Sequence, residues 1–96
     1  MAYIPAISGG GNVKAQRYTT TLSNVAAGAY GRHTFDISGL GITNIDNIVS
    51  LSIISNQNEE MTGGIMSYTT TEVGIGFKNR YSAALTAAIT LIVAYK

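Results

Sequence analysis

His33 is the only histidine in this 96-residue chain, so general acid or base chemistry near neutral pH would have to run through it. The nearest carboxylate, Asp36, lies three positions on along a run that alternates as a strand, which turns the two side chains to opposite faces. His33, beside Phe35 on an inward face, therefore reads as a packed residue rather than a proton shuttle. Glu59 and Glu60 form the only adjacent acidic pair, in the loop NQNEE. They read as a solvated hairpin tip, with a weak calcium site as the alternative. The absence of cysteine removes disulfides, thiolate metal sites and thiol nucleophiles together. No Gly-x-Ser-x-Gly, phosphate-loop or histidine metal motif occurs, and the GGG at 9–11 does not lead from a strand into a helix as a phosphate cradle would. The expectation is a non-enzymatic chain with no catalytic residue, metal or cofactor.

Aromatic side chains are the remaining source of specific binding, because exposed tyrosines grip sugars and partner proteins. Tyr30 faces outward next to Arg32, Tyr68 lies near a strand end, and Tyr81 sits in the turn NRYS. These four are the candidate ligand or receptor contacts, and core or subunit packing is the competing explanation for each.

The elements that carry them alternate with period two and are punctuated by turn residues every eight to twelve positions, the pattern of an all-β sandwich or barrel. The spacing predicts strands over 16–23, 29–37, 48–55, 65–71, 72–78 and 86–96, with loops at 24–28 and 56–60 and a helical or 3-10 turn within 42–47. Val49, Leu51 and Ile53 should share the core face of IVSLSIIS, with Phe35, Val73, Ile75, Phe77, Leu91 and Val93 completing the core. Gly74 and Gly76 fall on one face, which requires a close approach from a bulky side chain of the same sheet or from another chain. YTTT occurs at both 18–21 and 68–71 with unmatched flanks, and reads as strand composition rather than an internal repeat.

The last strand is apolar on both faces. Ile89, Leu91, Val93 and Tyr95 fill one, while Ala88, Ile92 and Ala94 on the other are expected to meet a neighbouring subunit. Charged residues make up only 11% of the chain, against roughly 25% in an average domain, so part of the surface should be covered by copies of the chain or a partner. A net charge of +1, scattered singly, provides no footprint for nucleic acid or an anionic membrane. No secretory leader and no apolar run long enough to insert in a membrane is present, so synthesis in the cytoplasm is expected.

The chain divides into an arm and glycine hinge at 1–11 and one sandwich domain at 12–96. Pro5 keeps the arm extended, Tyr3, Ile4 and Ile7 supply apolar anchors, and Gly9, Gly10 and Gly11 form the joint. The start at Met1 and the lack of a glycosylation sequon fit a complete bacterial or viral reading frame.

The stretches HTFDI, NIVSLSI, TTTEVGIGF and TLIVAYK, in that order, resemble the H-type-lectin-like sandwiches found as receptor-binding tips on bacteriophage tail fibres. In those domains an inward aromatic strand leads to an alternating apolar strand, then a loop and a short strand ending in Gly-Phe, and finally a long apolar strand. The resemblance covers roughly 32–96 and carries over no sugar-binding residue. It implies a six-stranded antiparallel sandwich, a homotrimer and a phage or surface-adhesion setting. A free-standing member of this kind would use its arm where a fibre tip has a shaft. The resulting expectation is a virion accessory protein, capsid-decorating or tail-attached, whose arm lies on neighbouring virion subunits; a module for host surface glycans is the alternative.

Overall fold

The computed structural model of the chain describes residues 13–57 and 59–96. The expected arm and hinge at 1–11, with the anchors Tyr3, Ile4, Pro5 and Ile7, lie outside the described residues. Six strands form two three-stranded antiparallel sheets: β1 (Lys14–Val25), β6 (Leu85–Tyr95) and β3 (Ile48–Ser55) in one, and β2 (Tyr30–Asp36), β5 (Glu72–Asn79) and β4 (Met61–Tyr68) in the other. Short 3-10 turns at Ser38–Leu40 and Ile45–Asn47 lie in the β2–β3 connection, the second capped by the Asn44 side chain, which accepts from the Asp46 N–H at 2.9 Å.

The two central strands carry most of the core. β6 turns Ala87, Ile89, Leu91 and Val93 inward with no solvent exposure at all, and β5 supplies Val73, Ile75 and Phe77 from the facing sheet. Leu22, Val25, Phe35, Ile37 and Met61 close around them. Alternation of this quality is what a half-buried antiparallel strand requires, and the outer faces carry mainly Thr, Ser, Ala, Arg and Lys, with Tyr30, Ile54, Met66 and Ile92 among them.

Val49 departs from the expected core. It is 49% exposed because β3 is bulged at its start: Ile48 lies opposite Tyr95 and Ser50 opposite the next residue, Ala94, leaving Val49 as the extra residue. Beyond the bulge Leu51 faces Val93 and Ile53 faces Leu91, on the core side but only partly buried. β4 begins at Met61, four residues before the predicted 65, since Gly63 and Gly64 are strand residues here. A side chain on Gly63 would collide with the Gly76 carbonyl oxygen, so the glycine is a packing requirement and not a loop signal. The second YTTT also differs from its reading. Tyr68 ends β4, and Thr69–Thr71 form a turn in which the Thr69 hydroxyl accepts from the N–H groups of Thr71 at 3.2 Å and Glu72 at 3.1 Å.

The close approach expected over Gly74 and Gly76 comes from their own sheet. A bulge between Ile65 and Ser67 puts both Met66 and Ser67 on the outer face, where Met66 covers Gly76 and Ser67 covers Gly74. The Arg32 stem borders Gly76 from the other side.

Candidate functional site

Two lateral seams join the sheets, and they are built differently. On one side β1 and β2 are linked by a tight connection and pack directly: a Cβ on Gly31 would lie 2.7 Å from Val25 Cγ2, so only glycine lets β2 come this close. Asn79, fully buried, ties the same corner together. Its amide donates to the carbonyls of Val25 at 2.8 Å and Ala83 at 2.9 Å, and its side-chain oxygen accepts from the Tyr81 N–H at 2.8 Å. Its backbone pairs with Gly28 and Ala29.

On the other side β3 and β4 are both edge strands, and the seam between them is open. Two clefts lie along it. One, of about 310 Å³, is lined by Ile53, Ser55, Met61, Thr62, Gly63 and Phe77. The other, of about 270 Å³, lies at the opposite end among Ile48, Val49, Ser50, Leu51, Ile65 and Tyr68. Both are predominantly apolar, and among the described residues no strand pairs with β3 along this side, which is the arrangement that accepts an added strand.

A second candidate surface is the outer face of the β1–β6–β3 sheet. Ala88, Ile92 and Ala94 stand here in a row on β6, flanked by Thr21, Arg17 and Ala15 on β1 and by Ser52 and Ser50 opposite Ile92 and Ala94 on β3. Arg17 is the single charge among these residues. Ile92 and Ala94 are half-buried by their sheet neighbours, and Ala88 is exposed. The expected subunit-contact residues thus share one outer face, which also carries the exposed Ile54 opposite Thr90.

The tyrosines do not form one cluster. Tyr30 and Arg32 share the outer face of the other sheet, with the Arg32 guanidinium 5.1 Å from the centre of the Tyr30 ring. Lys78 lies opposite Tyr30, and the exposed Tyr81 follows at the same end. Tyr68 lies opposite Val73 at the far end of that sheet and borders the open seam.

His33 meets Phe35 edge-on, with ring centres 4.7 Å apart, on the half-buried inner side of β2 near Tyr18. Asp36 turns outward. It accepts from the Ser38 hydroxyl at 2.6 Å and the Ser38 N–H at 2.9 Å, and these bonds hold its carboxyl below the usual range. Burial, with smaller contributions from Tyr95 and Asp36, pushes the Tyr18 phenol up. Among the described residues no group of three or more His, Asp or Glu side chains gathers to hold a metal ion, and no helix is long and apolar enough to cross a membrane.

No protein-family model matches the chain, and no curated protein matches it in sequence. In three dimensions it is similar to the crystal structure of the tailspike of Pseudomonas phage phi297, with a TM-score of 0.54 at 9% identity over 85% of this chain. The match spans 15% of the tailspike's length, so the likeness is one of fold between this chain and a small part of a much larger protein.

Proposed function

We propose that this chain is a non-enzymatic structural protein of a bacteriophage virion, a capsid-decorating or tail-attached accessory protein that assembles as a homotrimer and docks on neighbouring virion subunits through its N-terminal arm. The observation that carries this reading is the fold shared with a portion of a phage tailspike. The outer face around Ala88, Ile92 and Ala94 supports the assembly part, because a face this poor in charge on a chain with 11% charged residues is suited to burial against a copy. The anchors Tyr3, Ile4 and Ile7, followed by three glycines, support the docking part.

Ile92→Lys tests the assembly. The substitution puts a charge in the middle of that face while Leu91 and Val93 keep the core. The expected outcome is a folded chain, with an unchanged far-ultraviolet spectrum, that sediments as a monomer where the parent sediments as a trimer. Trimers that persist in the variant, or a parent that stays monomeric at high concentration, overturn the reading.

A second reading, a carbohydrate-binding module for host surfaces, is favoured by one observation: Tyr30 is an exposed ring backed by Arg32, with Lys78 and Tyr81 at the same end. Glycan-array binding that disappears in Tyr30→Ala would establish it. An array without signal removes it.

A further inference from the structure

We infer that the cleft between the start of β3 and the end of β4 is the seat of residues 3–7 of a second copy of this chain. The inference rests on the proposed docking role of the arm and names its receptor.

Three observations support it. The first is where the described chain begins. β1 starts at Lys14 opposite Tyr95, and Tyr95 lies opposite Ile48, so the root of the arm, the end of β6 and the start of β3 stand side by side at one end of the sheet. The cleft lined by Ile48, Val49, Leu51, Ile65 and Tyr68 opens at that same end. Two inter-strand steps, about 10 Å, separate the line of β1 from that of β3. Residues 8–13 reach up to about 20 Å when extended, so the tether is long enough to carry the anchors beyond the parent sheet.

The second is chemical fit. The cleft is apolar with one hydroxyl, Ser50, and one phenol, Tyr68, and it runs beside the unpaired edge of β3. The segment YIPAI offers apolar side chains on a backbone that Pro5 disposes to extension, which is the chemistry of an added strand. It carries no charge that would have to be desolvated. Bulging of β3 turns Val49 out to form an apolar lip where a regular strand would have closed the wall.

The third concerns which copy supplies the segment. Ala94, in the proposed subunit contact, lies between Ala15 and Ser50, one residue from the rows that hold Lys14 and Ile48. A copy packed on this face with the same ends of the two sheets together would bring its own arm root next to the cleft. Exchange of arms between copies then adds edge pairing to a contact that small residues alone would make weakly.

The lack of cysteine gives a direct test. Full-length Ile4→Cys and full-length Val49→Cys are mixed and oxidised, and the mixed disulfide is quantified on a non-reducing gel. As the reference, Ile4→Cys is mixed with Thr34→Cys, on the outer face of the other sheet. The expected result is at least a tenfold excess of the Ile4–Val49 product over both the reference pair and the Val49–Val49 homodimer. A yield equal to the reference overturns the inference. So does a double Ile4→Cys, Val49→Cys variant that closes on itself while the mixture gives nothing, which would assign the cleft to the chain's own arm. Sedimentation of the parent distinguishes the two levels: a trimer without the mixed disulfide leaves the assembly reading standing and removes only this seat, whereas a monomer removes both.

Discussion

The two seams of the sandwich are made from similar strands and end in opposite states. At the β1–β2 seam, Gly31 admits Val25 and Leu22 against β2, and Asn79 satisfies the carbonyls of the surrounding turns. At the β3–β4 seam, Leu51, Ile53 and Ile65 face the core yet stay partly exposed beside two clefts. A small domain has little surplus stability, so an apolar seam left open is a cost that a partner can offset. The closed seam is built for folding, and the open one is where the proposed attachment would act.

The largest effect expected from breaking this contrast is at Asn79. Replacing it with Leu keeps roughly the same bulk, but it removes the partner of two carbonyls and one N–H, the Val25 bond fully buried and the other two partly so. Each buried group left without a partner costs about 1–3 kcal/mol, so the loss should be on the order of 3 kcal/mol or more in a chemical denaturation curve. A loss under 1 kcal/mol would show that water reaches the corner and that the closed seam is not closed.

Paired truncations come next. Leu22→Ala, in the closed seam, should cost about 2–5 kcal/mol, as buried leucines do. Leu51→Ala should cost about half as much in the dilute, dissociated chain, because part of its side chain already faces the cleft. If the chain assembles and fills the cleft as proposed, the gap should narrow at high concentration. Equal costs in the dilute chain would mean that the cleft is occupied before assembly.

How far these differences could be read from sequence depends on what kind of signal each part carries. β6, and β3 beyond its bulge, were legible because their alternation is long and their neighbours are turn residues; so were the inward faces of β2 and β5. The covering of Gly74 and Gly76 from within the sheet was one of two readings the pattern left open. The bulge at Val49 was not legible, since IVSL alternates regularly with Val49 and Leu51 inward and carries no sign of an extra residue, and only pairing with β6 shows it. Gly63 and Gly64 concealed the start of β4, because a glycine demanded by a neighbouring carbonyl looks the same in sequence as one demanded by a turn. Asn79 was missed for a similar reason. An asparagine after a strand reads as a turn former, and its burial follows from contacts with residues 54 and 4 positions away. Of the candidate ligand residues, the neighbouring pair Tyr30 and Arg32 was readable on one strand face, while the separation of Tyr68 from Tyr81 required the sheet order.

A smaller effect is expected at the end of β2, where Asp36 is bonded to Ser38. Its carboxyl is held below the ordinary value, first by the Ser38 hydroxyl and then by the Ser38 N–H. A lowered folded-state pKa means that the ionised form favours the fold. The contribution is therefore complete above the ordinary aspartate value of about 3.9 and is lost as pH falls through it toward the lowered one. Ser38→Ala should move the Asp36 titration, followed by its carboxyl chemical shift, up toward the ordinary value, lowering stability slightly at neutral pH and leaving it unchanged below the titration range. An unmoved titration would show that the backbone N–H alone sets it.

The smallest effect is expected at Val49, and its smallness is informative. If β3 is bulged, Val49 is a lip of the open cleft and touches little of the core, so Val49→Thr, which keeps the strand-favouring branched shape, should change the stability of the dilute chain by less than about 0.5 kcal/mol. Ile48→Thr, one residue earlier and opposite Tyr95, is the comparison. Its side chain is partly buried where Val49 is exposed, and adding a hydroxyl there should cost measurably more. In a regular strand the order would be reversed, because removing the bulge would place Val49 inward in line with Leu51 and turn Ile48 out. A Val49→Thr loss larger than that of Ile48→Thr would therefore restore the unbulged register, close the wall of the cleft, and leave the open seam without the lip on which an incoming strand would rest.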